Sequence, residues 1–106
     1  MRNLNIKRKK SFVASLMKVK LYISDESSNE LTINGVKCRK IGDLANGKEA
    51  SFEIEDKEVI LFAIIDKLTK ETCNDKIIIN AGDEDVYLSG KNKFAPFSGN
   101  PFVFDK

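Results

Sequence analysis

Histidine is absent from the 106-residue chain, and so is tryptophan. Without histidine, the protein has no Ser-His or Cys-His nucleophile pair and no imidazole ligand for zinc or copper. It also has no Gly-rich phosphate-binding loop, because its six glycines are scattered along the sequence. We therefore expect a protein that is not an enzyme and that has neither a cofactor nor a bound metal ion.

Carboxylates are the remaining candidates for acid–base or metal chemistry, and they occur in two groups. Asp25 and Glu26 form the first group, and Asp83, Glu84 and Asp85 form the second. Both groups fall in predicted turns, where solvation keeps carboxylates ionised. The second group also lacks the spacing of an EF-hand calcium loop. Neither group therefore predicts a catalytic or a calcium-binding site.

Cysteine is scarce, and no apolar run is long enough to cross a bilayer. Cys38 and Cys73 are too few for a disulfide-dense scaffold, so we interpret them as small, partly buried apolar residues. A disulfide between them is the alternative in an exported protein. The longest apolar run, Val59–Ile65, is far shorter than the roughly 20 residues of a membrane-spanning helix. Since Lys18 and Lys20 also interrupt the only stretch that imitates a signal peptide, we expect a cytoplasmic protein.

Basic residues are concentrated at the N-terminus. Residues 1–20 contain seven Lys or Arg and no acidic residue, which leaves the remainder of the chain net acidic. Six of them form a candidate basic patch: Lys7, Arg8, Lys9, Lys10, Lys18 and Lys20. The pattern is typical either of a nucleic-acid surface or of a solvated strand face, and both interpretations stay open at this point.

Alternation of apolar and polar residues is the dominant pattern of the sequence, and it is typical of β-strands with one buried face. Nine short segments show this alternation or a short apolar run: 4–6, 17–23, 31–33, 36–39, 51–54, 59–65, 77–79, 86–88 and 102–104. Between two of them stands Asn34-Gly35, the pair that most readily forms a type I′ hairpin turn. Asn46-Gly47 predicts a second turn.

The segment from Val59 to Leu68 is ambiguous. Its β-branched content and its strand neighbours favour a central strand at 59–65 that is apolar on both faces. The spacing of Leu61, Ile64 and Leu68 also fits a helix over 59–70, which is the alternative.

Seven to nine short antiparallel strands, separated by regularly spaced turns, predict an immunoglobulin-like β-sandwich in a single domain over 1–106. A small barrel is the alternative architecture. The expected interior between the two sheets consists of ten apolar residues: Val19, Leu21, Ile33, Phe52, Ile54, Leu61, Ile77, Ile79, Val86 and Leu88.

The order of these pieces resembles that of small bacterial β-sandwich proteins, described as PEGA-like or immunoglobulin-like modules. The resemblance covers about 80 residues and rests on the Asn34-Gly35 hairpin and on two segments, Ile41–Gly47 and Ile79–Asp83. The chain departs from the pattern at Ala14, where glycine is expected, and at Glu58, near an expected Gly-x-His pair. The shared residues are turn and core positions, so the resemblance implies a fold and no site.

These features predict a non-catalytic module, monomeric or homodimeric, that binds a protein through a sheet face or edge or has a structural role. The alternative is nucleic-acid binding through the basic N-terminal 20 residues. No membrane partner is expected. Phe94 and Phe97 are the candidate aromatic contacts, unless they close the core together with Phe102 and Phe104.

Overall fold

A computed structural model of the chain describes residues 1–11, 18–65, 75–92 and 102–105. All regular structure in these ranges is β-strand, and the nine strands follow the predicted segments. Their bounds are β1 (Arg2–Lys9), β2 (Val19–Ser24), β3 (Leu31–Ile33), β4 (Val36–Leu44), β5 (Glu49–Ile54), β6 (Val59–Ile65), β7 (Asp75–Ile79), β8 (Val86–Asn92) and β9 (Phe102–Phe104).

The strands form two packed sheets, which confirms the predicted β-sandwich; the described strands do not close into a barrel. The four-stranded sheet has the order β5-β1-β8-β9, and the five-stranded sheet has the order β3-β4-β2-β6-β7. One pair corrects the expectation of antiparallel strands throughout, because β1 and β8 are parallel, with Leu4 opposite Val86 and Arg8 opposite Gly90. No short hairpin forces these two distant segments to run in opposite directions.

The main core lies between the two sheets. It contains buried side chains from both of them, with Leu4 and Ile6 from β1 facing Val19, Leu21 and Ile23 from β2. Burying an aliphatic side chain of this size contributes roughly 1.5–3 kcal/mol. Of the ten predicted interior residues, nine lie in this core or pack against it at its margin.

Ile33 is the exception. It belongs to a second apolar cluster on the outer face of the five-stranded sheet, where Cys38, Phe62 and Ile64 are also buried. From Val59 to Ile64, the side chains of β6 alternate between the main core and this cluster, so the strand is apolar on both faces, as predicted. Residues 59–65 are therefore strand, and the remainder of the helical alternative, 66–70, lies outside the described residues.

The first predicted hairpin turn is confirmed by its backbone geometry. Asn34 and Gly35 have φ angles of 50° and 80°, the two positive values that a type I′ turn requires. They connect β3 to β4 with Ile33 opposite Val36. At the second turn Gly47 alone has a positive φ, and the amide of Lys48 donates to the carbonyl of Ala45 over 3.0 Å.

Two arginines fix β1 within the sandwich. Arg2 is buried, and its guanidinium donates to three backbone carbonyls: Glu55 at 3.2 Å, Lys57 at 3.1 Å and Asn80 at 2.8 Å. Arg8 is buried at the other end of the strand and donates to the carbonyl of Leu44 over 2.7 Å. Strand β1 is therefore held to the β5–β6 and β7–β8 loops and to the end of β4. The groove described below lies on its outer face.

Across the described ranges, no helix of a length and hydropathy suited to crossing a membrane is present.

Candidate ligand-binding groove

The six residues of the candidate basic patch do not form one surface. Lys7 and Lys9 lie exposed on the outer face of β1, whereas Arg8 between them is fully buried. Burial lowers the pKa of Arg8 from its ordinary value. Lys20 is half-buried on the outer face of β2, on the opposite side of the sandwich. The two remaining residues, Lys10 and Lys18, are exposed outside the strands.

The alternating pattern of the sequence indicates that Arg8 is buried. Alternation along β1 places Arg8 on the same face as Leu4 and Ile6, which are core residues.

The side chain of Asn92 is buried at the adjacent end of β8, and none of the described residues gives its amide a hydrogen-bond partner.

The candidate aromatic contacts divide into two pairs. Phe102 and Phe104 are buried in the main core, where their rings pack edge to face with centroids 5.3 Å apart. This confirms the core interpretation for these two residues. Phe94 and Phe97 lie outside the described residues.

The predicted acidic candidates are engaged in structural contacts or exposed. Arg39 holds the buried carboxylate of Asp25, and Lys57 pairs with the exposed Glu26. The loop carboxylates Asp83, Glu84 and Asp85 are exposed, and Asp85 accepts a hydrogen bond from the amide of Asn3 over 2.9 Å. Within the described ranges, no three acidic or thiol groups converge in a geometry that would hold a metal ion.

A groove of about 670 Å³ lies on the outer face of the four-stranded sheet. It runs across three adjacent strands, and its lining comes equally from β5, β1 and β8: Glu49, Ala50, Ser51, Asn5, Ile6, Lys7, Tyr87, Leu88 and Ser89. Because the lining residues belong to hydrogen-bonded strands, the backbone of the groove is preformed.

Tyr87 forms the aromatic part of the groove. Its side chain is 76% exposed, the highest exposure among the large apolar and aromatic residues in the described ranges. It stands opposite Asn5 of β1 in the parallel register. Alternation of Val86, Tyr87 and Leu88 in the sequence indicates the outward orientation of Tyr87. The assembly of β5, β1 and β8 around it depends on contacts between segments that are distant in the sequence.

Two polar pairs in and beside the groove are already satisfied. Ser51 donates to the side-chain carbonyl of Asn5 over 2.5 Å, and Ser89 donates to Asp105 over 2.6 Å. Lys9 also pairs with Asp105, at 2.6 Å. These contacts fix the hydroxyl and amide groups of the sheet face.

The two groove residues of opposite charge, Lys7 and Glu49, are register partners on β1 and β5. Both are exposed, and among the described residues neither has an ion-pair partner. The groove therefore offers one ammonium, one carboxylate and one aromatic ring to a ligand.

The sheet edges offer less to a ligand than the groove. The described sheets have four edge strands. Edge strands β3 and β9 have three residues each, and β5 carries the exposed residues Glu49 and Glu53. The fourth, β7, has five residues and begins with the charged pair Asp75 and Lys76, although its Ile78 is exposed. Beyond β3, strand β4 has a bulge at Ile41 and an ion pair between Lys40 and Asp43. Short strands, charges and bulges all oppose the addition of a further strand.

No protein-family model matches the chain, and no curated protein or solved structure is significantly similar to it.

Proposed function

We propose that the protein is a non-catalytic binding module that recognises a protein partner through the groove around Tyr87. The exposure of Tyr87 on a preformed sheet face is the observation that carries this proposal. Tyrosine is enriched among the residues that dominate binding energy at protein interfaces, because its ring offers a large contact area with little conformational freedom to lose. A residue 76% exposed at the wall of a groove is available for such contact.

The outer face of the four-stranded sheet is a better binding surface than the edges of either sheet. In the described part of the chain, those edges are short, charged or bulged. The charges of this sheet face also favour a protein partner over a nucleic acid. A nucleic-acid surface needs concentrated positive charge, but Lys9 is neutralised by Asp105, Arg8 is buried, and Glu49 lies beside Lys7.

Two further parts of the proposal concern the protein family and the cellular location of the protein. The resemblance to PEGA-like and immunoglobulin-like modules stays a proposal about the fold, and it assigns no ligand. The thiol of Cys38 is buried and free, and a cytoplasmic location stays a proposal. Cys73 lies outside the described residues.

Site-specific photo-crosslinking tests the groove. A benzophenone amino acid replaces the exposed Ser51 in the groove, and, as the matched control, the exposed Thr32 on the five-stranded sheet. After irradiation in cells of the source organism, we expect a protein adduct from position 51 and none from position 32. Adding Tyr87→Ala should remove the adduct, since truncating such an anchor weakens binding by roughly 30-fold or more. Equal adducts from both positions, or adducts that survive Tyr87→Ala, would overturn the proposal.

A further inference from the structure

The groove contains three groups that no described residue engages: the Glu49 carboxylate, the Lys7 ammonium and the Tyr87 ring. Elsewhere on the same face, Lys9 and Ser89 are both paired with Asp105. Opposite charges directly across two antiparallel strands commonly attract each other. Here no ion pair joins the two charges, and neither is paired with any other described residue, so each is available to a ligand.

The three groups have a fixed order across the sheet, because their strands have the order β5-β1-β8. Glu49 and Lys7 lie one strand apart, a step of about 4.8 Å. Tyr87 lies on the next strand, diagonally opposite Lys7, since its own partner is Asn5. This step goes one strand across, about 4.8 Å, and two residues along, about 6.6 Å, and therefore measures roughly 8 Å.

An extended polypeptide has a side-chain spacing of intermediate size, within reach of both steps for long side chains. Its side chains on one side recur at every second residue, about 6.6 Å apart, which lies between the two spacings of the groove. A segment crossing the strands would place one side chain over Glu49, the next over Lys7 and the third over Tyr87. Charge complementarity then selects a basic side chain for the first position and an acidic side chain for the second.

We infer that the groove binds an extended protein segment in which a basic, an acidic and an apolar side chain occupy alternate positions, in that order or its reverse along the chain. The inference rests on the proposed function, and it adds the chemistry of the partner. The basic group pairs with Glu49, the acidic group pairs with Lys7, and the apolar or aromatic side chain packs on Tyr87.

Selection from a library of random 12-residue peptides displayed on phage tests the inference. The immobilised protein is the full chain in four forms: wild type, the charge-reversed variant Lys7→Glu/Glu49→Lys, the anchor variant Tyr87→Ala, and a control that reverses two exposed charges outside the groove, Glu58→Lys/Lys76→Glu. Circular dichroism and thermal unfolding establish first that all four forms fold, as expected for exposed side chains.

We expect the wild type and the control to enrich the pattern basic-x-acidic-x-apolar, and the charge-reversed variant to enrich acidic-x-basic-x-apolar. A synthetic peptide with the wild-type pattern should bind the charge-reversed variant at least about tenfold more weakly, because both pairs become repulsive.

Peptides that need Tyr87 but show no charge order, or no change after charge reversal, would overturn the inference and leave the proposed function standing. Failure to enrich any peptide, enrichment that persists in Tyr87→Ala, or binding of the wild type to an oligosaccharide or a single-stranded oligonucleotide instead of peptides would overturn both.

Discussion

Arg39 donates two hydrogen bonds to the same carboxylate oxygen of Asp25, Oδ2, from Nε over 3.0 Å and from Nη2 over 2.7 Å. The side chain of Asp25 is 2% exposed, and its other oxygen accepts hydrogen bonds from the hydroxyl of Ser28 and the amide of Ser27. The pair therefore joins strand β4 to the turn after β2. The Asp25 carboxylate in this pair is almost fully shielded from water.

The stability of the protein should depend on pH through this pair. Hydrogen bonding to Arg39 lowers the pKa of Asp25, although burial opposes the shift. Because the folded pKa lies below the unfolded one, the stabilisation is complete above about pH 4 and is lost as the pH falls through the lowered pKa. Asp25→Asn should reduce the free energy of unfolding by about 2 kcal/mol at pH 7.

Urea unfolding of both proteins from pH 7 to pH 2 measures this effect, and the difference between them should shrink below about pH 4. Glu26→Gln is the matched control, because this neighbouring carboxylate is exposed and its surface ion pair contributes little. A difference between wild type and Asp25→Asn that stays constant over the whole range would contradict the prediction.

Replacing Arg2 should destabilise the fold. Its fork of donors satisfies three backbone carbonyls that belong to two separate loops. Arg2→Lys keeps the charge but loses the fork, so we expect a loss of about 2 kcal/mol in the free energy of unfolding. Lys9→Ala, which removes only an exposed ion pair, should change it by less than about 1 kcal/mol. Equal effects of the two substitutions in urea unfolding would refute the role assigned to Arg2.

Gly90 should not tolerate a side chain. A Cβ atom at this position would lie 2.9 Å from the carbonyl oxygen of Val103 and against the ring of Phe102. Gly90→Ala should therefore cost about 2–3 kcal/mol. Gly82→Ala is the control, because the nearest atom to its Cβ would be Nη1 of Arg2 at 3.4 Å, an ordinary van der Waals distance. Thermal unfolding should show a clear drop in Tm for the first variant only.

Asn92 is a position where a substitution should improve stability. Its side chain is 1% exposed, and neither polar atom of its amide has a hydrogen-bond partner among the described residues. Burying an unsatisfied polar group costs about 1–3 kcal/mol. Asn92→Leu, which has a similar branched shape, should raise the free energy of unfolding by about 1 kcal/mol in urea titrations. A loss of stability in this variant would show that the amide makes a favourable contribution.

Local pattern predicted the strands and both Asn-Gly turns, because alternation and the pairs Asn34-Gly35 and Asn46-Gly47 depend only on neighbouring residues. Alternation along β1 also indicates an inward position for Arg8, against the general preference of a charged side chain for water. Pairing between distant segments was not predictable in this way. The parallel neighbour of β1, the outer cluster around Ile33 and the groove around Tyr87 all depend on which strands meet, and many arrangements satisfy the same alternation.

The parallel pairing of β1 with β8 has a consequence for the order in which the protein can fold during synthesis. The strands of the five-stranded sheet all lie between residues 19 and 79, so that sheet can pair before β8 is synthesised. Strand β1 leaves the ribosome before this sheet, whereas its parallel neighbour β8 follows it. The groove therefore forms only after β8 has emerged, and a partner that needs the groove would engage the domain only from that point of synthesis onward.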